Sequence, residues 1–301
     1  MNRRIFTQVL ATAALSAAAR PLPGSASGAA PLPQAPPFPL SVMLWTVFTG
    51  LPFEERLAKV VEAGYSNVQL VGEYHKWSEA DFASANAARK RLNITFDTTA
   101  GLAHGVGNPD TRDAFLADIR KELSIMETLE CPAVIALSGN VVPGLTHEAQ
   151  HQCCIETLKQ AAGIVEGRQI AGQPVRVLLE NIDPEENPHY FLTSAAEGME
   201  IARAVNHPQV QFLYDMFHEQ IAEGNLIEKL EKHIDVIGLI HIADVPGRHE
   251  PGTGEINYAN IYRKLVQLNY RRTVAMEFKP SGDQVAALRA AKAQVLSAVA
   301  S

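Results

Sequence analysis

Short apolar runs rich in β-branched residues recur along this chain, separated by segments whose apolar residues keep helical spacing. The runs over 40–46, 67–71, 93–98, 133–137, 175–180, 209–215, 236–242 and 273–278 read as buried parallel strands. Periodic stretches near 53–64, 78–91, 109–129, 147–169, 191–205, 219–233, 257–268 and 283–299 predict the helices that follow them. Eight strand–helix units in succession predict an α/β fold of the (β/α)8 TIM-barrel type over residues 38–301. In such a barrel the βα loops gather at the C-terminal ends of the strands, and chemistry gathers with them.

The last four runs each end in a side chain that binds metals: Glu180, Asp215, His241 and Glu277. Their spacings of 35, 26 and 36 residues are those of strand–helix–strand repeats, so all four should sit at one end of neighbouring strands. A single carboxylate after a strand is commonly a solvated loop residue or a helix cap. Four donors in succession, each closing an apolar run, point instead to one shared divalent cation. Three carboxylates and an imidazole suit Mn²⁺, Mg²⁺ or Co²⁺. Residues following earlier strands add candidates for an opposite wall: Trp45, Glu73, His75 and His104.

Composition narrows the function. Apolar residues make up 47% of the chain, enough for a large core, and the net charge of −7 argues against a nucleic-acid partner. Cys131, Cys153 and Cys154 form no CxxC pair and read as small buried residues. Residues 1–37 differ from the rest. Arg3-Arg4, a mild Ala-rich apolar stretch from Val9 to Ala19, small residues around 25–30 and a Pro-rich tract describe an export signal and linker. The arginine pair and weak hydrophobicity resemble a twin-arginine signal, which predicts a periplasmic protein. The apolar stretch is too short for a stable membrane span.

From Asp215 to Glu277 the chain resembles the hydroxypyruvate isomerase family of xylose-isomerase-like barrels. The resemblance rests on His241-Ile-Ala-Asp-Val-Pro-Gly-Arg-His-Glu-Pro-Gly-Thr-Gly-Glu-Ile-Asn-Tyr258, on Leu213-Tyr-Asp-Met-Phe-His218 and on Glu277-Phe-Lys-Pro-Ser-Gly-Asp283. Leu179-Glu180-Asn181 adds a weaker match. The family implies Glu180, Asp215, His241 and Glu277 as ligands of one metal ion, with Glu180 and Glu277 also moving protons. His218 and Arg248 match positions that meet substrate in related isomerases and epimerases. Hydroxypyruvate isomerases can carry Gln where this chain has His241, and the related ketose epimerases carry His.

The chemistry expected is proton transfer beside a carbonyl. Chelation of a carbonyl and a neighbouring hydroxyl stabilises an enediolate, one glutamate removes a proton, and an acid returns it to the next carbon. Arg248 suits a substrate carboxylate through its fork of donors. Lys279, two residues beyond Glu277, is placed at the same rim by strand alternation, either for a substrate anion or to neutralise the carboxylates. The same constellation could serve a ketose or keto-sugar 3-epimerase or a related lyase. A non-catalytic sugar-binding barrel has less support, because both glutamates are intact. An abasic-site endonuclease would need a richer zinc-ligand set and a basic groove. The expected partner is a small hydroxy-carbonyl acid or sugar, and a homo-oligomer is compatible with the barrel.

Overall fold

The computed structural model describes residues 35–300. The export segment expected at the N-terminus lies, up to residue 34, outside the described residues. The barrel strands are β1 (Leu40–Met43), β2 (Asn67–Val71), β3 (Thr95–Ala100) and β4 (Ala133–Leu137), then β5 (Arg176–Glu180), β6 (Val210–Asp215), β7 (Ile237–Ile242) and β8 (Val274–Met276). All pair in parallel, and β1 pairs with β8 through Leu40 and Val274 to close the barrel.

Strand alternation divides two apolar populations. Met43, Ile135, Leu178, Leu213 and Leu239 fill the barrel axis. Val177, Leu179 and Phe212 belong to the larger core between strands and helices. Because Leu178 faces inward, Arg176 and Glu180 on the same strand face inward too, one at each end of the barrel. That period of two is why each strand delivers one side chain to the C-terminal mouth.

The helices are α1 (Phe53–Glu62), α2 (Glu79–Arg91), α3 (Arg112–Leu129), α4 (His147–Val165), α5 (Ala195–Val205), α6 (Met216–Ala222), α7 (Leu226–His233), α8 (Tyr258–Gln267) and α9 (Gln284–Ala300). Four differences from the sequence reading have local causes. The first strand stops at Met43, and Leu44–Thr46 form a 3-10 turn that lifts Trp45 onto the rim. The helix expected to 169 ends at Val165, and Gln169–Ile170 pairs with Gln173–Pro174 in a hairpin. Positive φ at Ala171 and Gly172 makes that turn. The helix expected over 219–233 starts earlier and is two helices, split where Gly224 (φ 67°) and Asn225 (φ 55°) adopt left-handed backbone. The helix expected from 191 begins at Ala195, where the Ser194 hydroxyl accepts the Glu197 N–H. The three cysteines are free and buried. No helix among the described residues is long and apolar enough to cross a membrane.

Candidate metal and catalytic centre

Glu180 and Asp215 are the last residues of β5 and β6, His241 is the penultimate residue of β7, and Glu277 follows β8 directly. Strand register aligns them, with Asp215 beside His241 and Glu180 beside Leu213. One donor atom from each of the four lies within 4.8 Å of the others. All four residues are buried.

Three of the four donors are held by a second contact that leaves another atom for the centre. The His241 Nε2–H donates to Gln69 Oε1 at 2.8 Å, an assignment that leaves Nδ1 as the free nitrogen. Nδ1 lies 2.6 Å from Glu277 Oε2 and 3.8 Å from Glu180 Oε1. Neither Nδ1 nor Glu277 Oε2 makes a hydrogen bond of acceptable geometry, although both are buried. Two buried donor atoms 2.6 Å apart without a hydrogen bond, in a set of four that converges within 4.8 Å, are what a shared cation would satisfy, so the donor set fits a divalent ion. Asp215 Oδ1 accepts the Phe217 N–H at 2.7 Å and so caps α6. The other Glu277 oxygen accepts the Trp45 indole N–H at 2.7 Å.

Beside this quartet lies a second set of linked polar side chains, most of them buried. His218 sits one turn into α6, with Nδ1 2.6 Å from Asp183 Oδ2 and Nε2 3.4 Å from Asp215 Oδ2. Asp183 is itself fixed by the backbone N–H groups of Glu185 and Glu186, at 2.8 and 2.9 Å. Arg248 reaches Asp215 at 3.0 Å, Glu277 at 2.8 Å and Glu186 at 3.1 Å. Its guanidinium lies 4.8 Å from the Phe217 ring and 5.6 Å from the Trp45 ring. The loop that carries it is organised by Asp244, whose carboxylate accepts the N–H groups of Val245, Gly252, Gly254 and Ile256 at 2.8–3.0 Å.

These contacts separate the two glutamates electrostatically. Burial, then the neighbouring charges of Glu277 and Asp215, push the Glu180 carboxyl well above the usual range. Burial would raise Glu277 as well, but Arg248 and His241 outweigh it and hold that carboxyl well below the usual range. For His218, burial acts downward, and the charge of Asp215 with the Asp183 hydrogen bond reverses it, so the imidazole is raised.

The mouth opens on a cavity of about 580 Å³. Glu180, Glu186, His218, Arg248 and Glu277 form one side, and Met43, Trp45, Val71, Ile135 and Leu137 line much of the other. Of the expected substrate residues, the structure brings His218 and Arg248 to this cavity. Exposed Lys279 stands at the rim, its ammonium 5.1 Å from the Trp45 ring. Glu73 and His104 do not line it. Glu73 turns to Arg56 at 3.2 Å and to the Val71 N–H, and His104 Nδ1 meets Asp118 at 2.8 Å. His75 takes the wall position instead. Sequence reasoning missed Asp183, Glu186 and Gln69. The first two stand in the loop just after Glu180-Asn181, and Gln69 is a polar residue between Val68 and Leu70 in a short strand, signals that proximity and alternation carry weakly.

Comparison with known proteins agrees with this geometry. The family described as xylose isomerase-like TIM barrel matches residues 57–296. The 2-oxo-tetronate isomerase of Pectobacterium atrosepticum is 30% identical over 241 residues, covering 78% of this chain and 90% of the relative. The hydroxypyruvate isomerase of Escherichia coli is 26% identical over 253 residues, covering 83% and 96%. Among solved structures, a protein from Brucella melitensis described as AP endonuclease, family 2, is 27% identical with a TM-score of 0.75, covering 84% and 97%. The chain therefore belongs to the xylose isomerase-like TIM-barrel family and is an isomerase of the hydroxypyruvate isomerase kind.

Proposed function

We propose that this enzyme moves a carbonyl between adjacent carbons of a small hydroxy-carbonyl acid, depends on one divalent cation, and transfers the proton through Glu180 and Glu277. The single observation that carries the reading is the convergence of Glu180, Asp215, His241 and Glu277 within 4.8 Å, with Arg248 against Asp215 and Glu277. A cation held by these four residues would bind the carbonyl and neighbouring hydroxyl oxygens and stabilise the negative charge of the enediolate. One glutamate takes the proton from the hydroxyl-bearing carbon. The other supplies a proton to the former carbonyl carbon, and the hydroxyl proton passes to the former carbonyl oxygen, so atoms balance without any oxidant.

Arg248 supports the choice of an acid. The names of both isomerase relatives describe 2-oxo acids with a hydroxyl on the next carbon, and a guanidinium fork at the metal quartet suits that carboxylate. Asp183 holds the His218 ring so that Nε2 faces the reacting oxygens. The endonuclease description of the Brucella relative is not carried over: the pocket beside the quartet is walled largely by apolar residues, and its one arginine, Arg248, is tied to three carboxylates.

Solvent-deuterium exchange followed by NMR tests the reading, with Mn²⁺ or Mg²⁺ and hydroxypyruvate or 2-oxo-tetronate. Deuterium should enter carbon together with isomerised product, and Glu180→Gln or Glu277→Gln should lower the rate by roughly 10²- to 10⁴-fold. Exchange with inversion of a ketose centre and no carbonyl migration would move the assignment to an epimerase, which the same two glutamates would serve from opposite sides. No exchange with bound metal on either substrate set would sink proton transfer. Twin-arginine export is part of the proposal: replacing both Arg3 and Arg4 by Lys should retain the enzyme in the cytoplasm on cell fractionation. Unchanged periplasmic recovery would exclude that route.

A further inference from the structure

At the other end of the barrel, the N-terminal ends of β1, β5, β6 and β8 frame a second cavity, of about 570 Å³. Its lining carries four arginines, Arg168, Arg176, Arg271 and Arg272, with four glutamines and no carboxylate. In a chain of net charge −7 such a concentration of one sign stands out.

Three of the arginines are anchored by carbonyl and amide oxygens and not by direct ion pairs. Arg176 points inward at the foot of β5 and donates to the Gly238 carbonyl at 3.0 Å. Arg271 donates to the Pro37 carbonyl at 3.4 Å and to Asn269 Oδ1 at 2.7 Å. Arg272 donates to the carbonyls of Asp235 and Ile237. None of these three has a carboxylate within ion-pair distance among the described residues, and Arg168 reaches only Glu127, at 3.6 Å. A guanidinium has five N–H donors, and one or two carbonyls leave most of them unused. Arg176 and Arg272 are partly buried and Arg168 and Arg271 exposed, and Asp97 acts on Arg176 only from beyond ion-pair distance, so an added anion would find cations with donors to spare.

We propose that this cavity binds a small soluble phosphate-bearing anion. The cations arrive from three separate segments, around 168, 176 and 271–272, and so approach a ligand from several directions. That arrangement suits a tetrahedral group with oxygens on every side better than a planar carboxylate, and guanidinium forks match phosphate oxygens in pairs. The volume leaves space for a phosphorylated small metabolite beyond the phosphate itself. Met43, Ile135, Leu178, Leu213 and Leu239 close the barrel axis between this cavity and the catalytic mouth. The ligand is therefore an effector or stabiliser that does not compete with substrate.

The test is calorimetric titration of the full chain with inorganic pyrophosphate at matched ionic strength, using wild type, Arg176→Gln, Arg271→Gln and Arg248→Gln. Pyrophosphate should bind wild type and Arg248→Gln alike and bind each of the other two about 10-fold or more weakly, with isomerase activity kept in both. Arg271 is exposed, so its variant tests the site even where Arg176→Gln disturbs the fold. Glucose 6-phosphate should displace pyrophosphate more effectively than citrate. Binding that vanishes only in Arg248→Gln would place the anion in the catalytic mouth and overturn the proposal. So would equal binding by all four proteins, no heat beyond the salt control, or preference for citrate.

Discussion

Gln69 decides which nitrogen of His241 faces the other three donors. Its carbonyl accepts the Nε2–H at 2.8 Å, while its amide reaches Thr98 Oγ1 at 3.4 Å, so both ends of the side chain are used. A carbonyl at Nε2 keeps the proton there and leaves the Nδ1 lone pair for a cation. Gln69→Leu removes that acceptor. Binding of Mn²⁺, measured by calorimetry, should weaken about 10- to 100-fold, and imidazole ¹⁵N shifts of the metal-free protein should show His241 losing its single tautomer. Unchanged affinity would show that the amide has no part in positioning the ligand. With Val68 and Leu70 in the strand–helix core, Gln69 faces inward, yet its partner lies 172 residues away, a pairing no local pattern contains. The four donors were legible for the opposite reason. Each closes an apolar run, and a parallel barrel turns that one-dimensional position into a common place.

The βα loop between β7 and α8 is the element on which Arg248 depends. Asp244 is fully buried and uses both carboxylate oxygens, two N–H groups on each, to gather residues 245–256. Gly254 is required by the same packing, since a Cβ there would lie 2.0 Å from the Val245 carbonyl oxygen. Arg248 itself has φ 57°, a conformation held by the loop and not preferred by the residue. Asp244→Ala should therefore cost about 3 kcal/mol of stability, because buried N–H groups lose a charged acceptor. Asp244→Asn should rescue little, since its NH₂ would face two N–H donors. Both variants should lower kcat/KM by about 10²-fold through a displaced guanidinium, with faster amide exchange over 245–256. Wild-type kcat/KM in Asp244→Asn would show that the loop holds Arg248 without this carboxylate. The glycines of the loop were readable as turn formers, but its central acceptor was not, because an Asp after a strand usually reads as a cap. Likewise the split between α6 and α7 is a two-residue event at Gly224-Asn225 inside an otherwise helical period.

At the scale of the whole molecule, the barrel axis is not uniformly apolar, and this gives its stability a pH dependence separate from the metal centre. Asp97 on β3 is buried, and neither carboxylate oxygen makes a hydrogen bond of full geometry. Burial pushes its carboxyl up to about 6, against the smaller downward effects of Ser41, Gln69, Thr98 and Arg176. In the unfolded chain an Asp titrates near 3.9. Between these values the folded state holds the extra proton, so this residue's stabilising contribution is full below about pH 4 and is lost as pH rises through 6. A shift of roughly two units corresponds to about 3 kcal/mol. Asp97→Asn resembles the protonated acid and has no charge to bury. Thermal melts of both proteins are compared in the same chelator-containing buffers, so that the ligand carboxylates titrate in both. The variant should be more stable than wild type by about 1 kcal/mol or less near pH 4.5 and by about 2–3 kcal/mol at pH 8. A gap that stays constant across that range would mean that Asp97 is held ionised throughout by its polar neighbours. In that case the buried charge would be balanced inside the barrel, and the acid-side gain in stability would have to come from the surface.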